Sequence, residues 1–282
     1  MMLKISPEPD SSLADKLKRY RFYHFIELGN GVSTEGISRL VPQQQLALRQ
    51  LRLLPLQGKR VLDIGCRDGL FSFEAERLGA SEVIGIDNCL SQGAVDVLIP
   101  HLRSRVRMHE MNLLHLSPQA FGRFDVIIFS GVLYHLRYPF QALRIIRDLL
   151  ADDGVLLIET AIWRVFERIP LLYCPTGAES PYESSSVTFF NPRGLIATMA
   201  SFGFDAQFVD HLFGRKMFRT KGATARSYAG ILINYVQRAF PSLAGSIMGS
   251  FFIDRGVFRC HKLKGPPPAE FEYWDARHRV HG

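Results

Sequence analysis

The 282-residue sequence contains no run of 18 apolar residues, so no transmembrane segment is expected. Residues 1–21, MMLKISPEPDSSLADKLKRYR, carry no apolar core of signal-peptide length, and a soluble cytoplasmic protein is expected. Cysteine is sparse: Cys66, Cys89, Cys174 and Cys260 are scattered, with no C-x-x-C pair. That spacing argues against a zinc site and a disulfide framework, so no metal ligands are assigned. The dinucleotide fingerprint G-x-G-x-x-G is also missing. After Gly65, Arg67 and Leu70 stand where its second and third glycines would fall. The second glycine lets backbone approach a pyrophosphate, and the Arg67 side chain blocks that approach. The loop VLDIGCRDG therefore suits a ligand without phosphate.

The hydrophobic fraction, 47%, is enough for a real core. The net charge of +7 is unevenly placed: residues 211–282 hold twelve Lys or Arg against four Asp or Glu. Such a basic region fits nucleic acid, an anionic substrate, an acidic membrane surface or simply a solvated face.

From about residue 59, short apolar runs alternate with helical patterns. Strands are expected at Val61–Ile64, Val83–Ile86, Val106–Met111, Phe124–Phe129 and Val155–Ile158. Helices are expected over Leu70–Leu78, with Gly79 as a stop, and from Pro139 to Leu150, with Gly154 just beyond. Strands that are apolar on both faces imply a parallel sheet covered on both sides. Residues 163–192, with four prolines and a serine cluster, read as an irregular excursion. Leu195–Phe202 reads as a helix, and Phe204–Val209 and Val257–His261 as two late strands. The stretch YAGILINYVQRAF between them has helical apolar spacing and suggests a lid, a dimer contact or a surface helix pair.

Two acids define the ligand further. Asp63 ends the first strand beside the turn, and Asp87 ends the second, where an acid can accept both ribose hydroxyls. A ribose-bearing ligand with a cationic head and no phosphate is S-adenosyl-L-methionine (SAM). Either acid would also serve as a helix cap.

With VLDIGCRDG, VIGIDN, FDVIIFSGVLYHLRYP and GVLLIET, the chain resembles the class I SAM-dependent methyltransferases. RFYHFIELGNGVSTEG, LLPLQGKRVLDIGC, ETAIW and TFFNPRGLIATMASFGF make it similar to the family of the tRNA wobble-uridine carboxymethyltransferase. The resemblance implies an α/β fold, a Rossmann-like seven-stranded methyltransferase sheet with helices on both faces and an antiparallel last strand. It implies residues 1–45 as an N-terminal cap segment and 46–282 as the methyltransferase domain, with insertions at about 163–192 and 213–250. The cofactor-binding residues it implies are Asp63, Gly65, Cys66, Arg67, Gly69, Asp87, Asn88, Asn112, Leu113, Ser130, Gly131 and Tyr134. The tRNA enzyme uses carboxy-SAM, whose extra carboxylate needs tyrosyl and basic partners. Tyr134 matches the tyrosine. The family's lysine-bearing upstream segment has no counterpart, and the late arginine is not located by sequence.

His135, in LYH beside the donor site, is the first candidate for a general base. His24, in FYHF, is the second, against a role in aromatic packing. Tyr173, Tyr182, Phe189 and Phe190 are candidates for the acceptor wall, and Arg67 for reaching an acidic substrate or for an ion pair with Asp68 or a surface acid. The expected function is methyl transfer to a small-molecule acceptor, oxygen before nitrogen. The alternative acceptor is a nucleic acid, the tRNA wobble uridine. A non-catalytic SAM-binding interaction protein ranks last. A homodimer is among the assemblies the apolar stretch before the last strand would allow.

Overall fold

The computed structural model describes residues 12–164, 168–212 and 253–264. YAGILINYVQRAF and the whole of the 213–250 insertion lie outside the described residues. The main sheet takes its strands in the order β6-β7-β5-β4-β1-β2-β3. These are β1 (Arg60–Ile64), β2 (Glu82–Asp87), β3 (Arg107–Glu110), β4 (Phe124–Ser130), β5 (Leu150–Trp163), β6 (Phe204–His211) and β7 (Ile253–Lys262). Strands β1 to β5 pair in parallel, and β7 is antiparallel to both of its neighbours, β5 and β6. The seven strands of the expected sheet are therefore present. Two two-residue strands, Leu172–Tyr173 and Phe189–Phe190, extend it beside the end of β5, so the excursion after β5 is partly sheet.

Side-chain alternation along each strand feeds two cores. Val61, Val83, Val126, Leu157 and Val257 face one side, with the N-terminal segment and helices α1 (Val41–Leu51) and α2 (Leu70–Arg77). Leu62, Ile84, Ile127, Leu156 and Phe258 face the other, with α3 (Pro139–Leu149) and α4 (Pro192–Ser201). A period of two splits a wholly apolar strand between two faces, and both need a helical cover. Helix α4 begins at a complete cap: Asn191 accepts the Gly194 N–H at 2.7 Å, and Pro192 opens the first turn.

Strands β5 and β7 are longer than expected: β7 starts at Ile253 rather than Val257, and β5 extends beyond Val155–Ile158 at both ends. Gly154 does not follow a helix stop; it lies inside β5, which begins at Leu150 directly after α3. The β4–β5 register jumps from Phe124↔Leu150 to Val126↔Val155, and Asp153 takes the left-handed conformation (φ 61°) in the bulge.

Candidate active site

A cavity of about 510 Å³ opens at the carboxyl ends of β1, β2, β4 and β5. Ligands bind at this edge of a parallel sheet, and the volume is that of a small-molecule site. The turn after β1 forms its floor. The Gly65 N–H donates to the Ile86 carbonyl at 2.8 Å, and its φ of 81° is left-handed. A Cβ there would lie 2.2 Å from Val132 Cγ2, so glycine is required by both conformation and space. Arg67, at the place of the missing glycine, also takes a positive φ of 49°. Its backbone N–H donates to Asp87 Oδ2 at 3.0 Å, and its guanidinium donates to the Cys89 carbonyl rather than to a carboxylate. Asp87 is thus fixed by the loop it faces, with Oδ1 accepting the Cys89 N–H at 2.8 Å.

Ten of the residues singled out from sequence line this one cavity: Gly65, Arg67, Asp87, Asn88, Asn112, Leu113, Ser130, Gly131, His24 and His135. The other four cofactor candidates stand behind the wall. Cys66 is fully buried beneath Gly85, whose Cβ would meet its Sγ at 2.9 Å, and burial pushes the thiol pKa up. Gly69 begins α2 at φ 86°. Tyr134 is buried beneath Arg255. Asp63 is 1% exposed, accepts a 2.6 Å hydrogen bond from Ser72 Oγ and leaves Oδ1 without a partner among the described residues. Burial pushes its pKa up to about 6, against the opposing pull of the Ser72 bond and His24.

Across the cavity, Arg255 from β7 meets Glu159 from β5. Arg255 Nε and Nη2 donate to the two Glu159 oxygens at 2.7 and 2.6 Å, both side chains are buried, and Ser130 Oγ adds a third bond to Glu159 at 3.2 Å. Burial pulls the Arg255 pKa down, but Glu159 outweighs it and holds the guanidinium charged. That guanidinium lies 4.6 Å over the Tyr134 ring and 5.9 Å from the Tyr182 ring. Arg255 was not singled out from sequence. Its only signal is β7, which pairs Arg255 with Ala161 on the strand that carries Glu159.

His135 sits in the turn after β4, and its Nδ1 lies 3.1 Å from the Ser185 carbonyl. A carbonyl can only accept, so Nδ1 carries the proton and Nε2 is the basic nitrogen. The excursion is laced to this turn. The Val187 and Thr188 N–H groups donate to the Tyr134 carbonyl, and Thr188 Oγ1 donates to the Leu136 carbonyl. Phe189 and Phe190 are buried core, and neither they nor Tyr173 nor Tyr182 lines the cavity. No cluster of three metal-ligating side chains occurs among the described residues, and no described helix is long and apolar enough to cross a membrane.

These residues fit SAM. Gly65 gives a close backbone floor, and Asp87 stands at a strand end for ribose hydroxyls.

A family model described as a methyltransferase domain matches residues 40–207. The tRNA U34 carboxymethyltransferase of Pseudomonas putida is 37% identical over 114 residues, 39% of this chain and 35% of that protein. Its namesake from Azotobacter vinelandii is 36% identical over 110 residues, 39% of this chain and 34% of that protein. The chain thus spans about a third of the length of the curated relatives it matches. Among solved structures, the N-terminal domain of EvdMO1 with SAH bound superposes with a TM-score of 0.57 at 16% identity, covering 88% of this chain and 94% of that one. At that identity the likeness is one of fold.

Proposed function

The chain belongs to the methyltransferase-domain family, as a class I SAM-dependent methyltransferase with SAM as its cofactor, and on that premise we propose that it methylates a hydroxyl of a small-molecule acceptor. The cofactor supplies a methyl group already activated by a sulfonium. The protein's part is alignment, exclusion of water and removal of one proton. Asp87 and Asn88 would hold the ribose end, and Gly65, Ser130 and Gly131 would lie along the amino-acid end.

The observation that carries the reading is the 3.1 Å contact of His135 Nδ1 with the Ser185 carbonyl. With Nδ1–H committed to the Ser185 carbonyl, Nε2 is left as the acceptor for a hydroxyl proton. An amine acceptor would need no such base. His24 lines the same cavity as a second imidazole.

A second reading, carboxymethyl transfer to tRNA, is favoured by the names of the curated relatives and by Arg255 over Tyr134. Against it, both Glu159 oxygens already engage Arg255, so the wall offers an extra carboxylate a cation that is already neutralised.

Calorimetric titration with SAM and, separately, with carboxy-SAM tests both. The first reading expects tighter SAM binding, reduced at least tenfold in Asp87→Ala. Preference for carboxy-SAM would replace it with the second. Binding of neither would remove the enzyme from consideration.

A further inference from the structure

Residues 22–26 of the N-terminal segment bend at Tyr23 and His24, which line the cavity, with Phe22, His24 and Ile26 buried and Tyr23 and Phe25 more than a third exposed. Their backbone is tied down along its length. Thr34 Oγ1 accepts the Ile26 N–H at 2.8 Å and donates to the His24 carbonyl at 2.7 Å. The Ile37 N–H donates to the Tyr23 carbonyl at 3.1 Å, and Gln44 Oε1 accepts the Phe25 N–H at 3.3 Å. The Tyr23 and His24 N–H groups both go to one atom, Asp68 Oδ2, at 2.6 and 2.7 Å.

Asp68 belongs to the turn after β1, next to the residue whose N–H binds Asp87, and it is fully buried. An unpaired carboxylate at such depth would be costly. Here two backbone donors converge on it, and His24 Nδ1 lies 3.5 Å from the same oxygen. Burial raises the Asp68 pKa, but His24 and its N–H, with Ser91, outweigh it, so the carboxyl lies below its ordinary range. Asp68 Oδ1 and His24 Nδ1 have no hydrogen-bond partner among the described residues, and the 3.5 Å approach of Nδ1 to Oδ2 is an ion-pair contact. The His24 ring is wedged between Tyr23 and Phe71, at centroid distances of 5.1 and 5.8 Å.

We infer that Asp68 is a positioning residue: it pins Tyr23 and His24 to the cofactor turn and turns His24 Nδ1 toward its own carboxylate, leaving Nε2 for the cavity. The inference rests on the methyl-transfer reading of this cavity and adds a second oriented imidazole to it. Neighbouring residues of one turn thereby serve two ends, Arg67 the acid at the tip of β2 and Asp68 the segment that closes over the site. A clamp of this kind fixes the closing segment wherever the turn is fixed.

The test uses the full chain, ¹⁵N-labelled, with and without S-adenosylhomocysteine. Long-range ring-nitrogen spectra report which nitrogen of neutral His24 is protonated, and amide exchange reports Tyr23 and His24. Protonation at Nδ1 is expected, becoming mixed in Asp68→Asn. Exchange of the two amides should rise at least about tenfold in Asp68→Ala, with the Thr34-bound Ile26 amide as an unmoved reference. A proton on Nε2 of the neutral wild-type ring overturns the inference, and so does unchanged exchange in Asp68→Ala. Should Asp68→Ala fail to fold, the wild-type tautomer decides alone. Failure of S-adenosylhomocysteine to bind would count against the cofactor reading, while the ligand-free measurements would still decide the role of Asp68.

Discussion

Replacing Asp63 by asparagine should change how stability depends on pH. Asp63 is 1% exposed on the face of β1 that meets the N-terminal segment and α2, and its pKa is pushed up to about 6 against 3.8 for an ordinary aspartate. The folded protein therefore keeps a proton between about pH 4 and 6 that the unfolded chain has released. Stability from this group is full below pH 4 and is lost as pH rises through 6. A shift of two units at about 1.4 kcal/mol each makes the loss roughly 3 kcal/mol as a ceiling. Asparagine cannot ionise, so this part of the slope disappears. Its amide introduces a buried donor beside the unpartnered Oδ1 position, at a cost of about 1–3 kcal/mol that does not vary with pH. Urea unfolding of both proteins from pH 4.5 to 7.5 separates the two effects, since every other titrating group cancels in the difference. The wild type should lose about 2 kcal/mol relative to Asp63→Asn across that range. A difference that stays flat would show Asp63 to be ionised in the native protein and would refute the reasoning.

Two further perturbations follow from the site. Gly65→Ala combines a left-handed residue, about 1–2 kcal/mol, with a Cβ only 2.2 Å from Val132 Cγ2, about 1–3 kcal/mol. Adding Val132→Ala should recover the contact and not the conformational cost; a double variant as unstable as the sum of the singles would contradict the geometry. Glu159→Gln leaves Arg255 buried without its counter-charge, and denaturant unfolding should show a loss of about 3–5 kcal/mol. Glu159→Gln with Arg255→Met should regain part of it, and an undiminished loss would mean that packing, not charge, holds this wall.

The parallel strands could be read from sequence because burial on both faces leaves no polar register to confuse the pattern. VLDI, VIGID and FDVIIF each stand within a residue or two of their ends. The start of β5 could not, because its first residues, LADDG, form a polar bulge whose left-handed residue is Asp153 rather than the glycine beside it. At the site, residues of the strand-end loops were legible because each follows an apolar run by a fixed step. Asp68 was not: its partners, Tyr23 and His24, come from 45 and 44 residues earlier and offer backbone groups, which leave no mark on composition. Arg255 was hidden for a similar reason, since Glu159 stands 96 residues away. The aromatics of the excursion drew attention by type, yet most of them serve the core.

The position of β7 bears on how this chain reaches its native state. The last described strand lies between β5 and β6, pairing with β5 from Ile253↔Trp163 to His261↔Val155. Strand β6 has β7 as its partner in the sheet, so it cannot dock until residues well past 250 have left the ribosome. Until then β5, the longest strand of the sheet, presents an open hydrogen-bonding edge beside apolar surface. Closing so distant a pairing is slow, because chain entropy is lost before the contacts form. Sheet completion thus waits on residues past 250, and an unpaired β5 edge is a site at which self-association would compete with folding.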